Sequence, residues 1–354
     1  MKEKVYFIPS RTDDDAGIST KVANLITGRN LLGFVKENDF IALKTHFGEG
    51  GNSGWVRPVH VKTIGELIMK KNAFPFLTET STLYKGHRNN AVSHIALAHR
   101  HGFGYEKTGL PLIMSDGLIG DEETEVKIPG RIYTSVKIAR MLAKVQGFIA
   151  FTHFTGHLGT GFGAALKNIG MGCASRKGKM VQHSTMKPKI DPKLCTLCGE
   201  CEKWCPAVAI SLGEESAVID RSKCIGCGQC LAVCRFDAVK YNWGASYADL
   251  QKKVVEHAFG VASLHRGRML FLNYLTRISK DCDCMSSYEQ VAPDIGVLIS
   301  RDPVAVDAAS IDLVEKTLGK KFAEVSYNIP YRIQIEYSRE IGFGSPDYEL
   351  EEVL

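Results

Sequence analysis

Short apolar runs alternate with longer amphipathic stretches along most of the 354-residue chain. Strands are predicted at the apolar runs VYFIPS, DFIALKTHF, FPFLTET, LPLIMSD, GFIAFTHF and DIGVLIS. Helices are predicted at STKVANLITGRNLLGFVK, RPVHVKTIGELIMKK, NNAVSHIALAHRHG, SVKIARMLAKVQ, YADLQKKVVEHAFGVASL and DPVAVDAASIDLVEKTLG. This alternation predicts an α/β fold in which a mainly parallel sheet carries helices on both faces.

The alternation stops in the middle of the chain, where cysteines become frequent. The polar, basic stretch SRKGKMVQHSTMKPKIDP precedes this region, and KYNWGASY follows it. We therefore predict a small inserted module at residues 188–241. The α/β domain is predicted to be split around it, with a first part at residues 1–187 and a second part at 242–354.

Composition excludes few classes of protein but favours a globular one. The chain is 44% hydrophobic and 23% charged, and a net charge of +5 is too small to predict nucleic-acid binding. The first residues lack the apolar run of a signal peptide, and the glycines and histidines of residues 145–166 make a poor membrane span. We expect a cytoplasmic chain without a nucleic-acid or membrane partner, whose clustered cysteines bind metal. A redox partner protein, a small-molecule substrate and the oligomeric state are left open.

Eight of the eleven cysteines lie in two runs of identical spacing. The first run is C-x2-C-x2-C-x3-C followed by Pro206, and the second repeats it with Arg235 in place of the proline. In two-cluster ferredoxins the fourth cysteine of each run ligates the other cluster. We therefore predict a ferredoxin-like α+β module with two [4Fe–4S] clusters. The first cluster is assigned to Cys195, Cys198, Cys201 and Cys234, and the second to Cys224, Cys227, Cys230 and Cys205. The alternatives are two zinc sites or eight free thiols.

Polar side chains follow several predicted strands directly. In open α/β sheets, ligands bind beyond the carboxyl ends of the strands, so these side chains are predicted to converge on one site. The candidates are Lys44, His46, Glu49, Asp116, His153 and His157. The histidines and Glu49 suit a divalent metal or acid–base catalysis, and Lys44 suits an anionic substrate. The alternative is that each histidine only caps the end of a strand.

Three cysteines lie outside the two runs. Cys282 and Cys284 flank one residue, so on an extended segment both sulfurs face the same side. With Cys173, and with His183 or a carboxylate as the fourth ligand, they are predicted to hold a third metal or Fe–S centre. The alternatives are a reactive or disulfide-forming pair, or buried inert thiols.

The run Gly159–Ala164 fits G-x-G-x-x-A before a helix, a turn that can hold a phosphate on backbone N–H groups. No acidic residue follows at the spacing that a ribose requires. We therefore do not expect a flavin or nucleotide cofactor.

Several of these segments together resemble the DUF362 family. They are LKTHFGE, THFTGHLGTGFGAALKNIGMGCASRKGK, KDCDC and DIGVLISRDPVAVDAASIDLV. The resemblance covers nearly the whole chain, and it implies a split α/β domain in an anaerobic or redox setting. Members of this family have unknown function and are often fused to ferredoxin modules, so the resemblance implies no reaction.

These observations lead to one functional hypothesis and two alternatives. The clusters are predicted to relay single electrons to or from a His/Glu/Cys-lined site in the α/β domain, and an enzyme of this kind is an iron–sulfur oxidoreductase. The first alternative is a non-enzymatic electron carrier or redox-responsive binding protein. The second is a metal-dependent non-redox enzyme with structural clusters.

Overall fold

The computed structural model describes residues 2–10, 13–84, 86–183, 187–205, 207–224, 229–240 and 246–353. The strands are β1 Glu3–Pro9, β2 Phe40–Lys44, β3 Phe74–Thr78, β4 Glu123–Lys127, β5 Ser135–Ala139, β6 Gly147–His157, β7 Gly161–Gly163, β8 Lys189–Ile190, β9 Ile210–Leu212, β10 Ala217–Ile219, β11 Val239–Lys240, β12 Met269–Ser279, β13 Gly296–Ser300 and β14 Tyr348–Glu352. The helices are α1 Asp15–Gly28, α2 Pro58–Met69, α3 Ala91–Ala98, α4 Tyr105–Thr108, α5 Ala165–Gly170, α6 Arg176–His183, α7 Glu200–Lys203, α8 Gln229–Val233, α9 Tyr247–Leu264, α10 Pro303–Leu318 and α11 Ile333–Glu340.

One large sheet organises the described part of the chain. Its strands run in the order β14-β1-β13-β12-β6-β2-β3, and β7 pairs with β6. Neighbours among β12, β6, β2 and β3 are parallel, whereas β13 is antiparallel to both β1 and β12. The predicted α/β class with a mainly parallel sheet is confirmed.

Successive residues of the central strands enter two separate hydrophobic cores. In β2, Ala42 packs into one core while Ile41 and Leu43 pack into the other. The first core contains apolar residues of α5, α9, α10 and α11, and the second contains those of α1 and α2. This two-residue period places one layer of helices against each face of the sheet.

Two predicted elements differ from the structure, and one central strand was not predicted. The segment SVKIARMLAKVQ, predicted as a helix, is the strand β5 followed by a 3-10 turn at Arg140–Ala143. The segment LPLIMSD contributes only an isolated bridge from Leu112 to Leu77. The sequence patterns also missed β12, whose residues pair with β6 and β13 at the centre of the sheet.

The cysteine-rich region forms its own small sheets in the described residues. β9 pairs with β10, and β8 pairs with β11 so that Ile190 lies opposite Val239. The two ends of this region therefore lie on adjacent strands. The predicted boundaries at 188 and 241 stay a prediction. Among the described residues, the helices fall short of the length and apolarity that a membrane span requires.

Candidate functional site

The carboxyl ends of the parallel strands bring polar residues to one edge of the sheet. Lys44 ends β2, Thr78 ends β3, and the two strands pair in register at these residues. His153 lies in β6 opposite Tyr274 of β12. We call the polar residues gathered here the edge site: Lys44, His46, Glu49, Glu79, Arg88, His153, Lys167 and Asp283.

Lys44 is buried and held by two partners. Its Nζ lies 2.5 Å from Glu79 Oε1 and donates to Asn168 Oδ1 at 2.8 Å. The side chains of Lys44 and Glu79 are only 1% and 4% exposed. Because Glu79 neutralises it, Lys44 supports the edge site rather than offering a free cation to a substrate.

Arg88 connects two of the predicted residues. It donates from Nη1 to His46 Nε2 at 2.7 Å and from Nε to Glu49 Oε2 at 3.2 Å. Burial, with Arg88, Lys44 and Lys167 nearby, lowers the pKa of His46 well below its usual range. His46 is therefore an uncharged base. Burial raises the pKa of Glu49, but Arg88 and the Gly50 N–H outweigh it, so the net pKa is lowered.

His153 has the opposite surroundings. Its Nδ1 lies 2.9 Å from Asp283 Oδ1, and its Nε2 lies 2.9 Å from the carbonyl oxygen of Thr276. Both ring nitrogens therefore face oxygen acceptors. The edge site thus pairs a histidine that faces hydrogen-bond donors with one that faces oxygen acceptors.

Lys167 completes the edge site on helix α5. Burial lowers its pKa to about 8; Asp283 opposes this shift, and Arg88 and Lys44 add to it. Asp116 lies further back, where it accepts from the Ser81 N–H at 2.7 Å. Burial raises the pKa of Asp116 to about 6 despite the charge of Lys179.

His157 stabilises the glycine-rich turn. Its Nδ1 accepts from the backbone N–H groups of Gly159 and Thr160 at 3.1 and 3.0 Å. Two N–H groups that open α5, those of Ala165 and Leu166, donate to buried Asp307 at 2.8 Å each. An internal carboxylate therefore occupies the position at which a phosphate would sit on this turn.

The structure gathers Lys44, His46, Glu49 and His153 and leaves His157 and Asp116 at the margin. Sequence reasoning missed four members of the edge site, namely Glu79, Arg88, Lys167 and Asp283. Glu79 directly follows β3, so its position after a strand is a signal that identifies it. Arg88 lies on a loop and carries no such signal.

The outer cysteines lie in different surroundings. Cys282 and Cys284 are joined by a disulfide, whereas Cys173 is fully buried in the hydrophobic core, where burial raises its pKa to about 12. Burial, with Lys167 and Lys179 nearby, lowers the pKa of His183 to about 3. In the described ranges, no three His, Cys, Asp or Glu side chains are grouped as a metal ion requires. The predicted third centre stays a prediction.

The cysteine-rich region encloses a cavity lined by thiols from both runs. They belong to Cys195, Cys198, Cys201 and Cys234, and the apolar side chains of Ile190, Leu197, Leu212, Phe236 and Val239 complete the wall. Burial raises the pKa of Cys201, and the charges of Cys234, Cys195 and Cys198 add to the shift. Backbone N–H groups point at two of these sulfurs, from Ala217 to Cys195 at 3.4 Å and from Ala238 to Cys234 at 3.3 Å. Because these four thiols surround a cavity and are not grouped around a single metal ion, the lining suits a larger, cationic metal centre held by four thiolates.

The second predicted ligand set is described only in part, because Cys227 lies outside the described residues. Cys230 belongs to a small hydrophobic core against which Cys205 packs, and the Ala209 N–H donates to Cys205 Sγ at 3.3 Å. This core also contains Leu83 and Met180 from the α/β part of the chain. The cysteine-rich region therefore packs directly on the segments that flank the edge site.

The fold and these two sites define an α/β protein that carries a cysteine-rich module beside a buried, charged site. Residues 41–312 match the family described as "Domain of unknown function (DUF362)". The chain belongs to this family, and the predicted resemblance is confirmed.

Short stretches of the chain are similar to iron–sulfur proteins. Ferredoxin-1 of Rhodobacter capsulatus is 41% identical over 58 residues, which are 15% of this chain and 89% of the ferredoxin. The iron–sulfur cluster-binding component of menaquinone reductase from Nitratidesulfovibrio vulgaris is 38% identical over 56 residues, 15% of this chain and 22% of that protein. The chain spans only 17% to 25% of the length of this protein and of two other curated relatives.

Among solved structures, the lactate racemase apoprotein from Thermoanaerobacterium thermosaccharolyticum aligns with a TM-score of 0.43 at 8% identity. The alignment covers 85% of this chain and 54% of the racemase.

Proposed function

We propose that this chain is an iron–sulfur redox protein that relays single electrons to or from the edge site. Cys195, Cys198, Cys201 and Cys234 would hold one [4Fe–4S] cluster. Cys224, Cys227, Cys230 and Cys205 would hold the second. When bound, such clusters supply one-electron transfer. The observation that carries the proposal is the cavity that thiols from both cysteine runs line together.

Hydrogen bonds to sulfur support a cluster rather than four isolated thiols. Backbone N–H groups of Ala217, Ala238 and Ala209 point at Cys195, Cys234 and Cys205. Such donors stabilise the negative charge of a thiolate and help to set the potential of the cluster. The similarity to ferredoxins over a short stretch supports the same assignment.

The position of the module supports a relay to the edge site. Leu83 and Met180 lie in the core of the module, and their neighbours in sequence reach the edge site. The hydroxyl of Tyr84 accepts from Arg88 Nη2. Lys179 donates from Nζ to Thr80 Oγ1 at 2.6 Å. Electrons leaving the module through these contacts arrive beside Arg88 and Glu79.

The charges of the edge site indicate a small anionic substrate. Lys44 is neutralised by Glu79. Lys167 lies near Asp283 and Arg88, and its pKa is lowered. Among the described residues, no carboxylate lies at hydrogen-bond distance from Lys167. An anion beside Lys167 would favour its charged form. The uncharged His46 would then act as a base, and His153, hydrogen-bonded to Asp283, as its partner in acid–base catalysis.

Metal analysis of anaerobically purified protein tests the proposal. We expect about eight iron and eight sulfide ions per chain, and about four of each after Cys234→Ser, because that variant removes a ligand of one cluster only. Cys173→Ala is the matched control, since this thiol lies in the hydrophobic core away from the cavity.

Iron content that stays unchanged in Cys234→Ser would contradict the shared cavity. Zinc in place of iron in anaerobic wild-type protein would overturn the redox function altogether. A protein with both clusters that binds no small anion at the edge site would be an electron carrier.

A further inference from the structure

The disulfide between Cys282 and Cys284 lies within the edge site. Its Cα atoms are 5.2 Å apart, and the residue between the two cysteines is Asp283, the partner of His153. The Glu49 N–H donates to the carbonyl oxygen of Asp283 at 2.8 Å. Asp283, between the two cysteines, therefore contacts two of the residues that were predicted to be functional.

A direct chain of contacts connects this pair to the module. Leu83 belongs to the hydrophobic core that contains Cys230, and Cys195 and Cys234 pack against that core. The next residue, Tyr84, donates its hydroxyl to the carbonyl oxygen of Cys284 at 3.4 Å. The consecutive residues Leu83 and Tyr84 thus connect the module to the disulfide.

The disulfide contributes little to holding the fold together. A disulfide stabilises a protein mainly by lowering the conformational entropy of the unfolded chain, and this stabilisation grows with the length of the loop that the disulfide closes. This one joins residues two positions apart, so the loop is minimal. Cys282 is buried, whereas Cys284 is half-buried and reaches solvent. A partly accessible disulfide that closes a minimal loop is typical of a reactive rather than a structural bond.

We propose that Cys282 and Cys284 form a two-electron dithiol–disulfide couple that serves the edge site. This inference rests on the proposed function, because the reductant is the pair of reduced clusters. Each cluster gives up one electron and is oxidised, the S–S bond breaks, and each sulfur takes one proton from water. The couple would convert single electrons from the module into the pair that a substrate accepts, and the reverse reaction restores the disulfide.

Counting electrons in the full-length anaerobic protein tests the couple. We expect oxidised wild-type protein to take up about four electrons from dithionite, one for each cluster and two for the disulfide. The Cys282→Ser/Cys284→Ser variant should take up about two, with iron and sulfide unchanged. Cys173→Ala is the control and should take up as many as wild type. An equal count in the double variant, or loss of iron from it, would overturn the proposal.

Alkylation of the wild-type chain tests whether Cys282 and Cys284 form a reducible disulfide even if the double variant fails to fold. Mass spectrometry should find Cys282 and Cys284 unlabelled by N-ethylmaleimide before reduction and labelled after it. Labelling of both before reduction contradicts the disulfide. In Cys234→Ser, Cys282 and Cys284 should become labelled more slowly after dithionite is added than in wild type. Equal labelling rates would mean that electrons reach the disulfide without passing through this cluster. Absence of iron from wild type would overturn the proposed function while leaving the labelling result readable.

Discussion

At the scale of single residues, the groups that face each side chain decide its chemistry. His46 and His153 both follow from the same sequence signal, a histidine at the end of an apolar strand. Arg88 and the Gly48 N–H face the ring of His46, whereas Asp283 and a carbonyl oxygen face the ring of His153. The pKa of the first ring is therefore lowered and that ring is uncharged, whereas both nitrogens of the second ring face oxygen acceptors.

Loss of Arg88 should lower the stability of the protein through the edge site. It is 2% exposed and pairs with Glu49, which is 10% exposed. Arg88→Met would leave a buried carboxylate without its partner, so we expect the free energy of unfolding to fall by about 3 kcal/mol. Urea denaturation followed by tryptophan fluorescence measures the change.

An exposed pair provides the control for this prediction. Arg339 and Asp347 lie 2.7 Å apart with side chains 61% and 58% exposed. Arg339→Met should therefore change the free energy of unfolding by less than about 1 kcal/mol. Equal effects of the two substitutions would mean that the Glu49 carboxylate is solvated or otherwise compensated.

The sequence identifies part of the edge site, for a physical reason. Strand ends are readable from apolar runs, so Lys44, His46 and His153 follow from the pattern. Arg88 and Asp283 come from loops, and only tertiary packing brings them to the strands. The pairing of Cys282 with Cys284 was one of three alternatives, because spacing alone does not distinguish a metal ligand from a disulfide partner.

At the scale of elements, the hydrophobic patterns failed to predict strands correctly where burial of both faces removes the alternation of apolar and polar residues. Strand β12 is buried along nearly its whole length, so it lacks the alternation that marks a half-exposed strand. In β5, Val136 and Ile138 are buried while Ser135 and Lys137 are half-buried, which is a two-residue period within a stretch of good helix formers. Pairing with β4 decided this element against its local propensity.

The contact between β6 and the segment after β12 leaves no room for a side chain at Gly156. A Cβ at this position would collide with the carbonyl oxygen of Lys280 and the Ser326 hydroxyl. Because a backbone oxygen cannot move aside cheaply, Gly156→Ala should lower the free energy of unfolding by about 3 kcal/mol. Thermal unfolding by circular dichroism reports the loss as a lower midpoint.

Gly28 is the matched control for Gly156. It is the last residue of α1, and a Cβ there would meet no atom within 4 Å. Gly28→Ala should raise stability by up to about 1 kcal/mol, because alanine loses less backbone entropy. A neutral Gly156→Ala variant would show that the strands separate easily at this point.

At the scale of the whole molecule, the α/β part encloses its two cores without the cysteine-rich region. Residues of α1 and α2 supply the helical layer of one core, and residues of α9 and α10 supply much of the other. The module adds a third, smaller core, to which the α/β part contributes Leu83 and Met180. The prediction that this region is an inserted module, made from the change in composition and the cysteine pattern, stays a prediction.

The paired ends of the module predict that it can be removed. Ile190 and Val239 are opposite each other on antiparallel strands, so a two-residue Asn-Gly turn in place of residues 191–238 closes a hairpin. We expect a protein that binds no iron yet retains a cooperative thermal transition and the helical circular dichroism of the α/β part.

Removal exposes Leu83, so a second version should carry Leu83→Ser to lower the risk of aggregation. A cooperative transition in either version supports two separable folding units. Lack of a transition in both would mean that the module and the α/β part share one indispensable core.

The closeness of the two ends of the module also bears on how such a chain can evolve. A segment that leaves and re-enters a scaffold on neighbouring strands can be acquired in a single recombination event without rerouting the surrounding polypeptide. The scaffold could exchange this region for another of similar span. Selection would then act mainly on the few side chains where insert and scaffold touch, of which Leu83 and Met180 are two.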